Sequence, residues 1–203
     1  MRILLVNATT PEADFMLDCF PESTIICAGE KMGQCVIGDN VPDLLFFGGG
    51  PDVSPHLYDA YNIDPNTSAY YALDAKCVYW WTFAHARMIP CFGICRGMQF
   101  LVAMSGGILE QHISNHLSGD DAHAIKTPCG LTIPVLKDHH QYAELSDLLD
   151  LGIKVGATDS RVNSMVMEAS GIEWAGVQYH PEWSKPSSDA WKRAKKLAQA
   201  LVN

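Results

Sequence analysis

A single cysteine lies between two glycines in the stretch FGICRGMQ, where Cys95 is two residues from Gly93 and two from Gly97. Apolar runs precede and follow this G-x-C-x-G pattern, which predicts a tight turn from a strand into a helix. Glycine lets the backbone segments of such a turn approach closely, because it has no Cβ. The sulfur would then lie at a helix N-terminus, whose N–H groups favour a thiolate. The pattern predicts a nucleophile, although a buried structural cysteine also fits it.

A histidine that could serve as the base ends the predicted strand GVQY and precedes Pro181 and Glu182. Proline disfavours helical geometry in the residue before it, so we expect His180 to be extended. Side chains two residues apart in an extended chain share one side, which would bring Glu182 beside the imidazole. The carboxylate would fix the tautomer of His180 and stabilise its charged form. Alone, this pair is better explained as a local stabilising contact. Together with the elbow, it predicts a Cys95, His180, Glu182 triad.

The N–H of the residue after the nucleophile has a role of its own in such a turn. The backbone N–H of Arg96 would point at an oxyanion formed on a carbonyl that Cys95 attacks. We therefore predict that Arg96 contributes to an oxyanion hole through its backbone.

The elements that must position these groups follow from the apolar pattern. The runs Leu44–Phe47 and Cys91–Ile94 resemble buried parallel strands, and each ends at or next to glycine. Further strands are predicted at Arg2–Val6, Thr24–Cys27, Thr132–Val135, Lys154–Ala157 and Trp174–Gln178. Helices are predicted at Pro11–Phe20 with Thr10 as N-cap, Tyr70–Met88, Met98–Met104 and Ser188–Val202. This alternation indicates an α/β fold with a mainly parallel central sheet flanked by helices.

Composition limits the class of protein. The chain has 203 residues, of which 48% are hydrophobic and 18% charged, and we expect one catalytic domain over residues 1–203. The net charge is −9 and the 14 Lys and Arg form no long run, which argues against nucleic-acid binding. No apolar stretch approaches the roughly 20 residues that span a bilayer. The seven cysteines are scattered and no signal-peptide pattern is present, so we expect a cytoplasmic setting.

Two other constellations point to no additional chemistry. His112 and His116 have the i, i+4 spacing of metal ligands, but no carboxylate lies between them and their surroundings resemble a loop. The triple glycine Gly48–Gly50 is not followed by the G-K-[ST] of a phosphate loop. We predict neither a metal nor any other cofactor.

Two long motifs carry a resemblance to a known family. GICRGMQ and GVQYHPEW resemble the two signatures of class I, or triad, glutamine amidotransferases, and in particular of the γ-glutamyl-γ-aminobutyrate hydrolase group. LLFFGGGPDVSPHLY resembles that group's first glycine loop, and RMIPCFGICRGMQFLVAMSGGILEQH its elbow region. The resemblance implies a flavodoxin-like fold with a nucleophile elbow.

The resemblance also implies a role for each matching residue. Cys95 would attack the δ-carbonyl of a γ-glutamyl amide, His180 would transfer the proton to the leaving nitrogen, and Glu182 would orient His180. Water would then hydrolyse the glutamyl-thioester. With glutamine as the substrate, the products are ammonia and glutamate.

Further family positions match around this triad. The Arg96 N–H and an N–H of Gly49 or Gly50 would form the oxyanion hole. Gln99 would bind the amino-acid end of the substrate, and His139 corresponds to a pocket residue of the family. The segments VLKDHHQY and NTSAYYALDAK depart from the pattern: the first lacks an upstream Asn-Ser pair and the second an Arg-Asp pair. These departures leave the substrate open.

Three functions are compatible with these residues. The chain is a glutaminase component that supplies ammonia to a separate synthetase chain, or it is a stand-alone hydrolase of a γ-glutamyl amine or peptide. The third is a redox or chaperone protein with an elbow cysteine and no amidase activity, which would leave His180 and Glu182 unexplained.

Overall fold

A computed structural model describes residues 1–29, 41–61, 64–113 and 123–202. Cys35 and His116 lie outside the described residues. The strands are β1 Arg2–Asn7, β2 Thr24–Cys27, β3 Leu44–Phe47, β4 Cys91–Ile94, β5 Leu109–Glu110, β6 His123–Lys126, β7 Thr132–Val135, β8 Tyr142–Glu144, β9 Lys154–Asp159, β10 Met165–Gly171 and β11 Trp174–Val177. The α-helices are α1 Thr10–Cys19, α2 Tyr71–His85, α3 Arg96–Met104, α4 Leu145–Asp150 and α5 Asp189–Gln199.

These strands form one mixed sheet whose main path runs β2-β1-β3-β4-β11-β10-β9-β6-β7. The strands from β2 to β11 along this path are parallel to one another, and those beyond β11 pair antiparallel. Because β3, β4 and β11 are parallel neighbours, the segments after them leave the sheet at one edge. The predicted α/β fold is confirmed.

Helices cover both faces of the sheet and close two hydrophobic clusters. On one face Phe47 packs against Phe100 of α3, with 5.1 Å between the ring centroids. On the other face Phe92 packs with Phe15 of α1, whose ring meets Trp191 of α5 edge-on at 4.9 Å. The strand residues between these layers are fully buried, so the strand ends are held rigidly by packing.

The predicted N-cap of the first helix, Thr10, is wrong. Thr9, not Thr10, is the N-cap of α1, and Pro11 stands in its first turn. The reason is Glu12, whose carboxylate accepts hydrogen bonds from the Thr9 N–H at 2.7 Å and the Thr9 hydroxyl at 2.8 Å. That pairing has the spacing of a capping box that begins at Thr9.

The boundaries of three other helices also differ from prediction. α2 ends at His85 rather than Met88, because Met88 has φ of +54° and cannot continue a right-handed helix. α3 begins at Arg96, directly after Cys95, rather than at the predicted Met98. α5 is shorter than predicted at both ends, and the Ser188 side chain caps it by accepting from the Trp191 N–H. In the described part of the chain, no helix is long and apolar enough to cross a membrane.

Candidate active site

A strained turn between β4 and α3 presents the cysteine. Cys95 has φ of +51° and ψ of −111°, a conformation that L-residues rarely adopt. A Cβ on Gly93 would lie 2.4 Å from the Gly97 carbonyl carbon, and a Cβ on Gly97 would lie 1.9 Å from the Phe47 oxygen. Both flanking positions therefore require glycine. The Cys95 N–H donates to Val177 at 2.7 Å, which ties the elbow to β11.

The sulfur of Cys95 lies in a small cavity at the carboxyl edge of the sheet. The cavity has a volume of about 210 Å³, and Gly50, Gln99 and His139 are among the residues that line it. The Gln178 Nε2 donates to the Cys95 Sγ at 3.7 Å. The sulfur itself also lies 3.7 Å from the Asp138 carbonyl oxygen, so contacts on two sides orient it in the cavity.

His180 and Glu182 are in contact as predicted, but the connecting backbone differs. Nδ1 of His180 lies 2.6 Å from Oε1 of Glu182, whose side chain is only 1% exposed. The predicted extended geometry beyond His180 is wrong, because Pro181–Trp183 forms a 3-10 turn. His180 itself, with ψ of 87°, avoids the helical region that proline disfavours.

The charge state of His180 follows from its neighbours. Burial alone would lower the pKa of this imidazole. Cys95 and Glu182 act in the other direction, through charge and hydrogen bonds, and raise the pKa of His180 to about 10 from an ordinary 6.5. The imidazolium is therefore the stable form at neutral pH, beside the sulfur of Cys95.

The glycine loop after β3 passes next to this pair. A Cβ on Gly49 would lie 3.3 Å from Cε1 of His180 and 3.9 Å from the Cβ of Cys95. The Gly49 N–H donates to Oε1 of Glu12 at 2.7 Å, and the Gly49 carbonyl accepts from Nδ2 of Asn7 at 2.5 Å. Gly50 has φ of +151°, and no acceptor for its N–H is found among the described residues. Of the two predicted loop donors, Gly50 is thus the one left available.

The backbone N–H and the side chain of Arg96 lie in two different environments. Its N–H opens α3 and has no acceptor within the described chain. Its guanidinium is buried and forms an ion pair with Asp74 at 2.5 Å. Asp74 lies inside NTSAYYALDAK, so the segment that departs from the family pattern supplies the partner of Arg96.

Three glutamines form a network at one wall of the cavity. Nε2 of Gln99 donates to the Gln141 carbonyl at 2.8 Å and to Oε1 of Gln178 at 3.1 Å. Nδ1 of His139 lies 3.0 Å from the same Gln141 carbonyl. The predicted pocket residues Gln99 and His139 are therefore brought together through Gln141.

Two further histidines, His140 and His112, each lie beside a carboxylate. His140 lines the cavity beside His139 and pairs with Asp52 at 2.9 Å. His112 lies 4.0 Å from Asp64, and the described residues contain no group of three metal-ligating side chains.

Sequence reasoning missed Asn7, Glu12 and Gln178. GVQYHPEW contains Gln178 and so offered a signal for it, whereas nothing near Asn7 or Glu12 marks them.

A known family and its members are similar to this chain. The sequence profile of the family described as Peptidase C26 matches residues 24–182. A GMP synthase (glutamine-hydrolyzing) of Xanthomonas oryzae is 34% identical over 101 residues, which are 46% of this chain and 19% of that protein. A gamma-glutamyl-gamma-aminobutyrate hydrolase of Escherichia coli is 27% identical over 166 residues, 70% of this chain and 65% of that enzyme. The chain thus spans a small part of the GMP synthase and just under two thirds of the hydrolase.

Solved structures share the fold. A putative GMP synthase component of Thermoplasma acidophilum superposes with a TM-score of 0.66 at 13% identity, covering 100% of this chain and 94% of the other. A glutamine amidotransferase of Thermotoga maritima gives a TM-score of 0.63 at 14% identity, covering 100% and 96%. These likenesses establish a shared arrangement of strands and helices.

Proposed function

This chain belongs to the Peptidase C26 family, a class I glutamine amidotransferase-like family of amide hydrolases, and from that premise we propose that it cleaves a γ-glutamyl amide with a Cys95, His180, Glu182 triad. The single observation that carries the proposal is the placement of His180. Its imidazole is bonded to Glu182 at 2.6 Å, and its pKa is raised to about 10 by Cys95 and Glu182.

In the resting pair the proton of the Cys95 thiol is already held by His180, as a thiolate beside an imidazolium. The Cys95 thiolate attacks the δ-carbonyl, and the carbonyl electron pair moves to oxygen. His180 then donates its proton to the departing nitrogen as the C–N bond breaks, leaving a glutamyl-thioester on Cys95. In the second half, His180 takes a proton from water, the hydroxide adds to the thioester, and glutamate leaves as the thiolate re-forms. Glu182 holds the imidazole in the required tautomer throughout.

Two backbone N–H groups stabilise the tetrahedral oxyanion. Arg96 supplies one from the start of α3, and Gly50 supplies the other from the loop after β3. Both lack an acceptor within the described chain, and both residues adjoin the nucleophile or its cavity. Gly49 contributes by its missing side chain, because a Cβ there would press on His180.

Gln99 and His139 hold the amino-acid end of the substrate. The cavity of about 210 Å³ suits a small, polar substrate. Since Nε2 of Gln99 already donates to two protein oxygens, its Oε1 is the atom that accepts from the α-ammonium group. His139 forms the adjacent wall.

Two substrate classes fit this site. As a glutaminase, the chain releases ammonia from glutamine for a separate synthetase chain, in keeping with its likeness to a glutamine-hydrolyzing GMP synthase. As a stand-alone hydrolase, it cleaves a γ-glutamyl amine or peptide, and the longer match to a gamma-glutamyl-gamma-aminobutyrate hydrolase favours this second candidate.

In both cases residues 1–203 act as one catalytic domain. The six described cysteines are all free, which fits a reducing, cytoplasmic setting.

The test is glutamate release by the isolated chain from glutamine, γ-glutamyl amines and a γ-glutamyl dipeptide. We expect turnover that Cys95→Ala abolishes and that Cys129→Ala, at the exposed free cysteine, leaves intact. Turnover of γ-glutamyl amines without a partner would select the stand-alone hydrolase over the partner-dependent glutaminase. Full biological effect in Cys95→Ala would instead favour a redox or chaperone protein.

A further inference from the structure

We infer that Asn7, assisted by Glu12, is a positioning residue that sets the Gly49–Gly50 peptide so that the Gly50 N–H serves as the oxyanion donor. The inference rests on the proposed function, and it concerns two side chains whose hydrogen bonds go to Gly49 and Thr9.

Gly49 is held on both sides by side chains from the first β-α unit. Nδ2 of Asn7, the last residue of β1, donates to the Gly49 carbonyl at 2.5 Å. Oε1 of Glu12, in the first turn of α1, accepts from the Gly49 N–H at 2.7 Å. Two opposite contacts on one glycine fix the orientation of the peptides before and after it.

The contact to Asn7 determines where the next N–H points. In a planar trans peptide, the C=O and N–H bonds are antiparallel. Because Asn7 draws the Gly49 oxygen toward itself, the N–H of Gly50 must point away from Asn7. A rotation of this peptide would replace the donor by a carbonyl oxygen, which would repel the oxyanion.

Such a fixation matters because the loop has little conformational preference of its own. Gly48, Gly49 and Gly50 are consecutive, and glycine visits many backbone conformations at similar energy. The Gly48 N–H donates to the Asn7 carbonyl at 2.6 Å, which anchors the start of the loop. The side chains of Asn7 and Glu12 extend that order to the peptide at the cavity.

Both positioning side chains are themselves held in place. Glu12 is 2% exposed, and its Oε2 accepts from the Thr9 N–H and hydroxyl. Asn7 pairs with Phe47 across β1 and β3. The peptide is therefore set by rigid elements.

The test compares Asn7→Asp, Asn7→Ala and the control Asn163→Asp, at an exposed asparagine. In Asn7→Asp a carboxylate faces the Gly49 oxygen, so we expect kcat to fall about 10²-fold or more with KM little changed. Asn7→Ala removes the bond without repulsion, and we expect a fall of about tenfold. Asn163→Asp should match the unmodified chain. If Asn7→Asp does not fold, Asn7→Ala decides the matter alone.

Alkylation by iodoacetamide separates this inference from the proposed function. Displacement of iodide by the Cys95 thiolate forms no oxyanion. We therefore expect Cys95 of the Asn7 variants to be alkylated at the same rate as in the unmodified chain, while kcat falls. Unchanged kcat in the Asn7 variants, or equal losses of kcat and alkylation, would overturn the inference and leave the triad intact. An unmodified chain that neither turns over substrate nor alkylates at Cys95 would overturn the proposed function itself.

Discussion

The indole ring of Trp183 lies face to face with the imidazole of His180, with 3.7 Å between the ring centroids and 6° between the planes. Trp183 is the residue directly after Glu182, so one short turn supplies both the carboxylate and the aromatic surface that contact His180. An aromatic face attracts a cation, which favours the imidazolium over the neutral ring.

Removing the indole should therefore destabilise the charged imidazole. We expect Trp183→Ala to lower the pKa of His180 by about one unit, because a cation–aromatic contact of this kind is worth roughly 1 kcal/mol. Trp183→Phe keeps an aromatic face and should retain most of the effect. NMR titration of the His180 ring measures the shift. Identical titration of Trp183→Ala and the unmodified chain would show that the stacking has no electrostatic role.

The carboxylate of Glu182, together with Cys95, should affect how stability depends on pH. The pKa of His180 is raised to about 10, above the ordinary 6.5, so the folded state holds its proton more tightly than the unfolded state. This stabilisation is complete below pH 6.5 and is lost as the pH rises through about 10. In Glu182→Gln the loss should be complete at a lower pH, because an anion beside the imidazolium is gone.

Urea denaturation at several pH values between 6 and 11 checks this expectation, as pH steps of about one unit resolve a titration. Glu22→Gln, at an exposed glutamate, is the control and should follow the unmodified chain. A Glu182→Gln profile that coincides with that of Glu22→Gln would contradict the assigned role of Glu182.

The two glycines of the elbow should be far less replaceable than a glycine in an open turn. Gly97→Ala places a Cβ 1.9 Å from the Phe47 oxygen, and backbone cannot move aside cheaply. We expect a loss of about 3 kcal/mol or more in unfolding free energy. Gly130→Ala meets no atom within 4 Å but has φ of +84°, so about 1 kcal/mol is expected. Thermal melts of the two variants would disprove this explanation if Gly130→Ala were the less stable.

The parts of the site that lie within short motifs were predictable from sequence. The elbow around Cys95 and the contact of His180 with Glu182 depend on residues one or two positions apart. The family inferred from those motifs and the α/β fold inferred from the apolar pattern are confirmed. The roles of Asn7 and Glu12 were not predictable. Their contacts reach Gly49 across 42 and 37 positions of sequence and exist only once β1 and β3 pair.

Strand β10 was not predicted from the sequence, for a similar reason. β10 and β11 form a hairpin in which Gly171 pairs with Trp174, leaving Ile172 and Glu173 as the two turn residues. Hairpin turns of this length usually carry asparagine or glycine, and Glu173 instead adopts φ of +60°. Without that signal, the apolar segment Met165–Gly171 gave no sign of pairing antiparallel to β11.

The buried ion pair behind the elbow should contribute strongly to stability. Asp74 is the partner of the Arg96 guanidinium, and the side chains are 6% and 1% exposed. Asp74→Asn leaves that guanidinium buried without an anion, which we expect to cost about 3–5 kcal/mol of unfolding free energy. Asp18→Asn removes an exposed carboxylate from Lys195 and should cost at most about 1 kcal/mol through that ion pair. Equal urea midpoints for the two variants would refute the prediction.

The most direct test of the central claim is to trap the nucleophile. We would treat the folded chain with an electrophilic glutamine analogue, digest it and locate the adduct by mass spectrometry. We predict one adduct, on Cys95, which excess glutamate slows and which His180→Gln largely prevents, with the exposed Cys27 and Cys129 unlabelled. A folded chain that remains unlabelled at Cys95, or that is labelled equally at Cys129, would contradict the proposed triad.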